Sequence, residues 1–292
     1  MRKILVLLVA MVCVNILTAQ EKKEEKKPSY WKRTGSSYLN LTQSSFSNWS
    51  SGGENSIAGG TGGNVKCNYG KRKVSWENGL TLGYGLQYQG SKRSKTNDVI
   101  DFYSKFGYKA FGKFDYTAQV TFKTQFDKGY PRYPITEESR YNSEFMSPAT
   151  IVLSLGFDYK PRSEFSLVLS PVSGKFTLVL DDSLSKVGVY GVKPNRHAYY
   201  ELGASLRANF SKKIGSNITL STVMDIFSNL LREPEKADIS WDINIVFKVT
   251  KYISSNLNFQ FRYDDDTKNI EPEKGPALQF KQVLGLGLSY NF

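Results

Sequence analysis

Apolar and polar residues alternate with a period of two along most of this chain. Between residues 200 and 210 the even positions are tyrosine, leucine, alanine or phenylalanine, whereas Glu201 and Arg207 occupy odd positions. Similar stretches lie at 80–88, 114–126, 151–159, 241–249, 257–263 and 283–292. Alternation over such lengths is typical of β-strands with one apolar and one polar face. We therefore predict an all-β chain.

The length of these stretches and their aromatic ends favour a membrane protein. A soluble barrel turns its apolar faces inward, whereas an outer-membrane barrel turns them towards lipid and lines its lumen with polar residues. Several stretches reach the ~9–11 residues of a tilted spanning strand. Aromatic residues recur at predicted strand ends, as at a lipid interface: Tyr38, Tyr69, Trp76, Tyr88, Tyr108, Phe126, Tyr159, Phe210, Trp241 and Tyr263. We predict a transmembrane antiparallel up-and-down β-barrel, with a soluble periplasmic ligand-binding barrel as an alternative.

The spacing of the connections predicts the number of strands. Short, basic turns lie near 69–73, 109–113, 160–164, 211–217 and 250–255, and longer connections lie near 45–54, 90–98, 127–148, 181–197, 228–238 and 264–277. Because outer-membrane barrels have short periplasmic turns and longer outside loops, this alternation predicts about twelve strands with both chain ends in the periplasm. The count requires residues 165–180 to be one strand bent at Pro171 and Gly174. A hairpin there would make about fourteen strands possible.

The first thirty residues predict export. Residues 1–19 combine a basic start with an apolar run and end in Ala19, which is typical of a secretory signal peptide and predicts Sec-type export. Residues 20–30 are rich in lysine and glutamate and are predicted to be a disordered periplasmic lead-in. The barrel would then comprise residues 31–292, in the outer membrane of a Gram-negative bacterium.

The last predicted strand ends on aromatic residues. Tyr290 and Phe292 follow Leu284, Leu286 and Leu288 on the apolar face of that strand. A terminal aromatic after alternating apolar residues resembles a signal read by the outer-membrane assembly machinery, so we predict that role for Tyr290 and Phe292. The same strand is expected to pair with the first strand, which removes the sheet edge.

Charge and cysteine content narrow the chemistry. The formal net charge is +12, but the lysines and arginines are scattered near turns, so no nucleic-acid groove is predicted. Cys67 is the only cysteine left after the predicted cleavage, which excludes an intramolecular disulfide. Cys67 and His197 are too few ligands for a metal site. We predict no cofactor and no metal, and we expect contacts with outer-membrane lipid and lipopolysaccharide.

Two groups of residues are candidates for binding or transport. Trp49, Glu54 and Asn55 lie in a glycine-containing loop that is predicted either to bind a sugar or lipid headgroup or simply to pin the first hairpin. Large charged residues on predicted polar faces would interlock and close the lumen, or leave a narrow passage. They are Lys123, Glu201, Arg207, Asp242 and Arg262.

Several motifs together resemble a known family. They are SFSNWSSGGENS (45–56), YGLQYQGSKRSKTNDVIDFYSKFGYKA (84–110), FKTQFDKGY (122–130), MSPATIVLSLGFDYKP (146–161), FSLVLSPVSGKFTLVLDDSLSKVGVYGV (165–192) and LSTVMDIFSNLL (220–231). In order and spacing they resemble the DUF3078 family of Bacteroidota, from about Trp31 to Asp266. The resemblance implies an outer-membrane β-barrel of unknown function. It implies no reaction, substrate or catalytic residue.

These observations predict a non-enzymatic integral outer-membrane protein. It would act as a narrow pore or transporter, or as a structural subunit of a larger envelope complex. The alternative in another class is a lipid hydrolase at the outer rim, for which His197 would be the base. No nucleophile motif lies beside His197, so no catalytic residue is predicted.

Overall fold

The chain folds into a closed antiparallel barrel in a computed structural model that describes residues 29–45, 55–90, 92–130, 141–232, 234–264 and 277–292. The described strands are β1 (Trp31–Ser44), β2 (Ser56–Lys71), β3 (Val74–Gln89), β4 (Lys92–Lys109), β5 (Phe114–Thr124), β6 (Ala149–Arg162), β7 (Phe165–Leu178), β8 (Ala198–Ile214), β9 (Ile218–Asn229), β10 (Ala237–Lys248), β11 (Ile253–Tyr263) and β12 (Gln279–Asn291). The predicted signal peptide and most of the predicted lead-in lie outside the described residues.

Each strand pairs with its neighbours in the chain, and β12 pairs with β1 to close the ring. At this seam Leu39 lies opposite Leu288. The backbone N–H of Phe292 donates to the carbonyl of Gly35 at 3.0 Å, and that of Gly35 donates back at 2.9 Å. Closure pairs the backbone groups that an open edge would leave exposed. The prediction of an up-and-down barrel is confirmed, with twelve strands in the part of the chain that the structure describes.

Strand β7 decides between the two predicted strand counts. It runs without a turn from Phe165 to Leu178, so the hairpin alternative is wrong. Its pairing with β8 shifts between Ser170 and Ser173, and Pro171 has no partner on β6 or β8. Proline lacks a backbone N–H, and a bulge is the arrangement in which a closed sheet tolerates it.

The connection predicted near residues 90–98 is shorter than expected. Strand β4 begins at Lys92, and only residues 90 and 91 separate it from β3. Gly90 takes a positive φ of 55°, which a tight reversal requires. A bulge between Gly85 and Leu86 leaves Thr96 unpaired. The alternation of apolar and polar residues did not predict the start of β4, because the residues after the turn are polar on both faces of the strand.

The two faces of the barrel differ in polarity. On β12, Leu284, Leu286 and Leu288 point outward and are 68%, 60% and 57% exposed, whereas Gly285 points inward and is buried. The same alternation places exposed aromatic and aliphatic residues around the outside of the other strands. Tyr38 is an exception to the predicted aromatic belt, because its hydroxyl lies in the lumen beside Gly62.

A small folded cap lies at the end of the barrel that carries the longer loops. A short helix, α1 (Asp182–Val187), is capped by Asp181, whose side chain accepts a hydrogen bond from the Leu184 N–H. Leu184 packs with Val179 and Val192 in a buried apolar cluster. Among the described residues, no helix has the length and apolar character needed to cross a membrane.

Candidate functional site

The lumen of the barrel is lined by two different surfaces. We call the inward side chains of β4 to β11 the charged wall, because they include most of the ion pairs of the described residues. We call the inward side chains of β12, β1, β2 and β3 the glycine wall, because glycine recurs at their inward positions. The alternation of each strand places these side chains inside, since successive residues point to opposite faces.

The charged wall is most tightly packed near the short turns. Lys105 and Asp158 are 4% and 1% exposed, and the Lys105 Nζ lies 2.6 Å from Asp158 Oδ2. Lys160 contacts the same aspartate at 3.2 Å and Glu77 at 2.8 Å. Ser166 donates a further hydrogen bond to Asp158 at 2.6 Å. Because each charge has a partner and further hydrogen bonds, the cluster can remain buried without an isolated ion.

A second cluster crosses the lumen. Lys123 on β5 contacts Asp225 on β9 at 3.0 Å, and Arg207 on β8 contacts the same carboxylate at 2.8 Å. The Arg207 guanidinium also lies over the ring of Tyr103 on β4, 5.5 Å from its centre. In the closed strand order, β4 and β8 are a third of the ring apart, as are β5 and β9. The contact of Lys123 with Asp225 and that of Arg207 with Tyr103 therefore span the barrel, whereas Arg207 and Asp225 lie on adjacent strands.

A third cluster lies nearer the long loops. Lys175 contacts Glu201 at 3.1 Å and also pairs with Asp238. Farther round the wall, the Arg262 Nη2 lies 2.7 and 2.9 Å from the two carboxylate oxygens of Asp242. Hydrogen bonds of this kind between two charged groups are stronger than those between neutral groups.

The structure therefore brings the predicted lumen residues into contact with partners that the sequence analysis missed. Lys123 and Arg207 share Asp225, Glu201 meets Lys175, and Asp242 pairs with Arg262. Asp225 lies in the apolar stretch of β9, at the inward position directly opposite Arg207. The sequence did contain a signal for this role of Asp225, because it is the single charged residue in β9.

On the glycine wall, side chains lie flat along the sheet. The Tyr38 hydroxyl would be 2.6 Å from a Cβ placed on Gly62, and the Tyr103 ring would be 2.2 Å from one on Gly79. Asn40 lies in the same way over Gly285 and Gly287 on the neighbouring strand. Glycine permits this close approach because it has no Cβ. The side chains therefore do not extend towards the middle of the lumen.

Lys281 crosses the glycine wall. Its Nζ lies 3.2 Å from the Asn97 Oδ1 on β4, although β12 and β4 are separated by three strands. Lys281 contacts no carboxylate within 4.0 Å among the described residues. At the short-turn end, a cleft of about 410 Å³ opens between the walls and is lined by Glu77, Lys160, Pro161, Arg162, Ser163, Phe165 and Ser166.

The remaining predicted site residues lie outside the lumen. Trp49 and Glu54 fall outside the described residues, so their binding role stays a prediction. Asn55 is exposed, and its carbonyl accepts a hydrogen bond from the Gly90 N–H at 3.1 Å, which ties the start of β2 to the β3–β4 turn. Tyr290 and Phe292 are exposed on the outer face with rings 6.1 Å apart. Their predicted role in assembly stays a prediction.

His197 lies in the connection between β7 and β8. Its Nδ1 is 2.9 Å from the Val179 carbonyl, and its Nε2 is 3.9 Å from Asp182 Oδ1. In the described part of the chain, no serine, threonine or cysteine side chain hydrogen-bonds to His197. The described residues also contain no group of three or more histidine, cysteine or acidic side chains arranged to hold a metal ion.

Comparison with solved structures finds other barrels at low similarity. An outer membrane channel from Pseudomonas putida F1 is 11% identical with a TM-score of 0.40, and the match covers 94% of this chain and 100% of that chain. The translocator domain of the autotransporter NalP from Neisseria meningitidis is 10% identical, with a TM-score of 0.35 and coverage of 97% and 96%. The P. putida toluene transporter TodX is 9% identical, with a TM-score of 0.30 and coverage of 91% and 90%. Likeness at this level does not extend to function.

The sequence comparisons bear on the family. No curated protein matches the chain. The family DUF3078, described as "Protein of unknown function", matches residues 41–130, from the end of β1 to the loop after β5. The motifs beyond residue 130 that resemble this family stay a prediction. For residues 41–130 this match confirms the resemblance to the DUF3078 family.

Proposed function

We propose that this protein is an integral outer-membrane β-barrel without enzymatic activity, and that it forms a narrow pore along its glycine wall. The observation that carries the proposal is the contrast between the two walls. Side chains of the charged wall meet across the lumen, whereas Tyr38 and Asn40 on the glycine wall lie flat against the sheet; Lys281 of this wall is an exception, because it reaches Asn97 on β4.

The outer face supports placement in a membrane. Its large apolar side chains are exposed in the isolated chain, which is the arrangement of a lipid-facing barrel and the inverse of a soluble one. Polar groups on this face bond to one another: the Trp76 Nε1–H donates to Ser104 Oγ at 2.8 Å, and Ser104 donates to Asn78 Oδ1 at 2.8 Å. Internal pairing is what a lipid environment demands of such groups. The soluble ligand-binding alternative does not fit this polarity.

The crossing contacts support a narrow pore rather than a wide channel. Small barrels are filled by side chains, whereas porins with about sixteen strands hold an aqueous channel. Here Lys123, Arg207 and Asp225 occupy the centre of one side. The space that remains is bounded by Gly60, Gly62 and their neighbours, where small residues face the lumen.

The hydrolase alternative has less support. A rim hydrolase needs a nucleophile within hydrogen-bond reach of its base. The described contacts of His197 are a backbone carbonyl and Asp182 instead. We expect purified protein to hydrolyse lipid at the background rate, and His197→Ala to leave that rate unchanged. Hydrolysis that depends on His197 would contradict this part of the proposal.

Planar-bilayer recording of the purified protein tests the pore and its path. We expect small, uniform conductance steps that Gly60→Trp abolishes or sharply reduces. Gly60 points inward and has no atom nearer than 3.6 Å to an added Cβ, so the indole enters the lumen without a clash at the backbone. Gly59→Trp is the matched control, because Gly59 faces outward beside Leu41 and tryptophan there meets lipid.

The outcomes separate the functional alternatives. Equal conductance for Gly60→Trp and Gly59→Trp would show that the passage does not follow the glycine wall. Absence of any conductance from inserted, heat-modifiable protein would favour the structural subunit of a larger envelope complex. Recovery of the protein in the soluble periplasmic fraction would contradict membrane insertion.

A further inference from the structure

The lysines and arginines that face the lumen differ between the two walls in how they are paired with carboxylates. On the charged wall, Lys109, Lys213 and Lys248 occupy inward register positions beside the short turns and have no carboxylate within 4.0 Å among the described residues. Six other inward-facing cations of this wall do have one, namely Lys105, Lys123, Lys160, Lys175, Arg207 and Arg262. Their charge is therefore neutralised locally and contributes little to the field inside the lumen.

The cations of the glycine wall are arranged differently. Lys66 on β2 lies at an even position, on the same inward face as Gly60 and Gly62, and is exposed. Lys281 on β12 lies at an odd position, on the same inward face as Gly285. Neither lysine has a carboxylate within 4.0 Å among the described residues. The glycine wall thus carries cations without carboxylate partners among the described residues.

These two lysines lie towards opposite ends of the passage. Lys66 pairs in register with Gly79, five residues from the short turn between β2 and β3. Lys281 is two residues from the beginning of β12, which starts at the long-loop end. An ion that moves along the glycine wall would therefore meet one cation after the other.

The short-turn mouth has the same sign of charge. Its turns carry exposed basic residues, whereas Glu164 is the acidic residue of the described short turns. The exposed basic residues are Lys71, Arg72, Lys73, Lys109, Lys113, Arg162, Lys212, Lys213, Lys248 and Lys251. A mouth of one sign with low-dielectric walls raises the local concentration of the opposite ion.

We propose that the passage along the glycine wall selects small anions, and that Lys66 and Lys281 attract them at its two ends. This inference rests on the proposed pore and adds the class of solute, namely small molecules or ions that bear a carboxylate, a phosphate or a halide charge. Lysine and arginine in the lining of a pore are the usual basis of anion selectivity.

Reversal potentials in a potassium chloride gradient across a planar bilayer test the proposal. We expect the wild-type protein to pass chloride over potassium by at least about threefold. In Lys66→Glu/Lys281→Glu we expect the preference to reverse, and in Lys66→Gln/Lys281→Gln we expect it to fall towards one. Replacing chloride with acetate or phosphate then shows which anion permeates better.

Arg33→Glu is the matched control. Arg33 lies opposite Cys67 in the β1–β2 pairing, one register position from Lys66, but it occupies an odd position on β1 and faces outward like Leu39. We expect Arg33→Glu to keep the anion preference, and heat-modifiable migration on gels to show that all variants are folded. A wild-type preference for cations, or equal loss in Arg33→Glu, would overturn the inference while leaving the pore intact. Absence of all conductance would overturn both.

Discussion

Lys105 on the charged wall is 4% exposed and lies 2.6 Å from a carboxylate, whereas Lys66 on the glycine wall is exposed and has no carboxylate within 4.0 Å in the described part of the chain. Both lysines face the lumen of the same barrel. The difference arises from their neighbours. Glu77 on β3, Asp158 on β6 and the Ser166 hydroxyl on β7 contact Lys105, whereas the register partners of Lys66 are Thr34 and Gly79.

The two lysines show how one closed sheet can be packed with ion pairs along the charged wall and leave a passage along the glycine wall. Ion pairs fill space and hold the strands that carry them, since each partner would be costly to leave alone in a desolvated site. Because glycine has no Cβ, neighbouring side chains can lie flat along the sheet, which leaves space in the lumen. The charged wall is expected to determine the stability of the barrel, and the glycine wall is expected to determine permeation.

The largest expected effect comes from breaking the charged wall. Asp158→Ala removes one carboxylate partner of Lys105 and of Lys160, and the two ammonium groups then share Glu77, with Asp115 near Lys160. We expect a loss of about 1.5–3 kcal/mol in the free energy of unfolding, because charge-assisted hydrogen bonds are lost in a buried site. Urea unfolding of the micelle-bound barrel measures it.

The control for that prediction is Lys66→Ala on the glycine wall. Because Lys66 is exposed and has no ion pair in the described residues, we expect a change within about 0.5 kcal/mol. If Asp158→Ala and Lys66→Ala reduced the free energy of unfolding equally, the two walls would not differ in their contribution to stability.

A smaller effect is expected within the glycine wall itself. A Cβ on Gly62 would lie 2.6 Å from the Leu82 carbonyl and 2.6 Å from the Tyr38 hydroxyl, whereas Gly60 has space for one. Gly62→Ala should therefore destabilise the barrel by about 1–3 kcal/mol, while Gly60→Ala should be close to neutral. The midpoint of heat-modified migration on gels compares the two. A neutral Gly62→Ala would show that the tight contact with Tyr38 relaxes at no cost.

A modest effect on conductance is expected when the crossing ion pairs are removed together. The triple replacement Lys123→Ser, Arg207→Ser and Asp225→Ser deletes all three charges, so none is left buried alone. If the passage follows the glycine wall, single-channel conductance should rise by less than about twofold. A severalfold rise would place the main passage through the charged wall instead.

The smallest effect concerns an ion pair outside the lumen. Asp127, in the loop after β5, is 41% exposed; burial alone would raise its pKa, but hydrogen bonds from Tyr84 and from the Lys128 N–H, with Arg93 nearby, lower it. A carboxyl with a lowered pKa stabilises the fold above its unfolded pKa, and this contribution is lost as the pH falls through the folded value.

We expect Asp127→Asn to reduce the thermal midpoint slightly at neutral pH, in line with the ~0.2–1 kcal/mol of exposed pairs. As the pH falls through the lowered pKa of folded Asp127, the wild type and the variant should converge, because the aspartate becomes protonated in both states. A constant difference across the whole pH range would mean that shape, rather than charge, accounts for the contribution of Asp127.

The sequence predicted the faces of the strands better than the contacts between them. The period of two was enough to place Glu201, Arg207 and Leu284 on the correct faces, because alternation is a local property of a strand. It failed near residues 92–97, where polar residues occupy both faces, and for Tyr38, whose size suggested an interface position. The hydropathy pattern could not predict that Gly62 on the neighbouring strand leaves space for the Tyr38 ring in the lumen.

Alternation and turn chemistry by themselves determined the all-β class and the closed up-and-down topology, because these follow from local geometry and the need to pair every strand edge. The structure of β7 then decided for twelve strands rather than fourteen in the described residues. Only the tertiary structure decided that Lys123 and Arg207 share Asp225 while Lys66 and Lys281 have no carboxylate nearby in the described residues. The contact between Lys123 and Asp225 joins strands a third of the ring apart, and their approach across the lumen is fixed by closure of the barrel and not by any neighbouring residue in the chain.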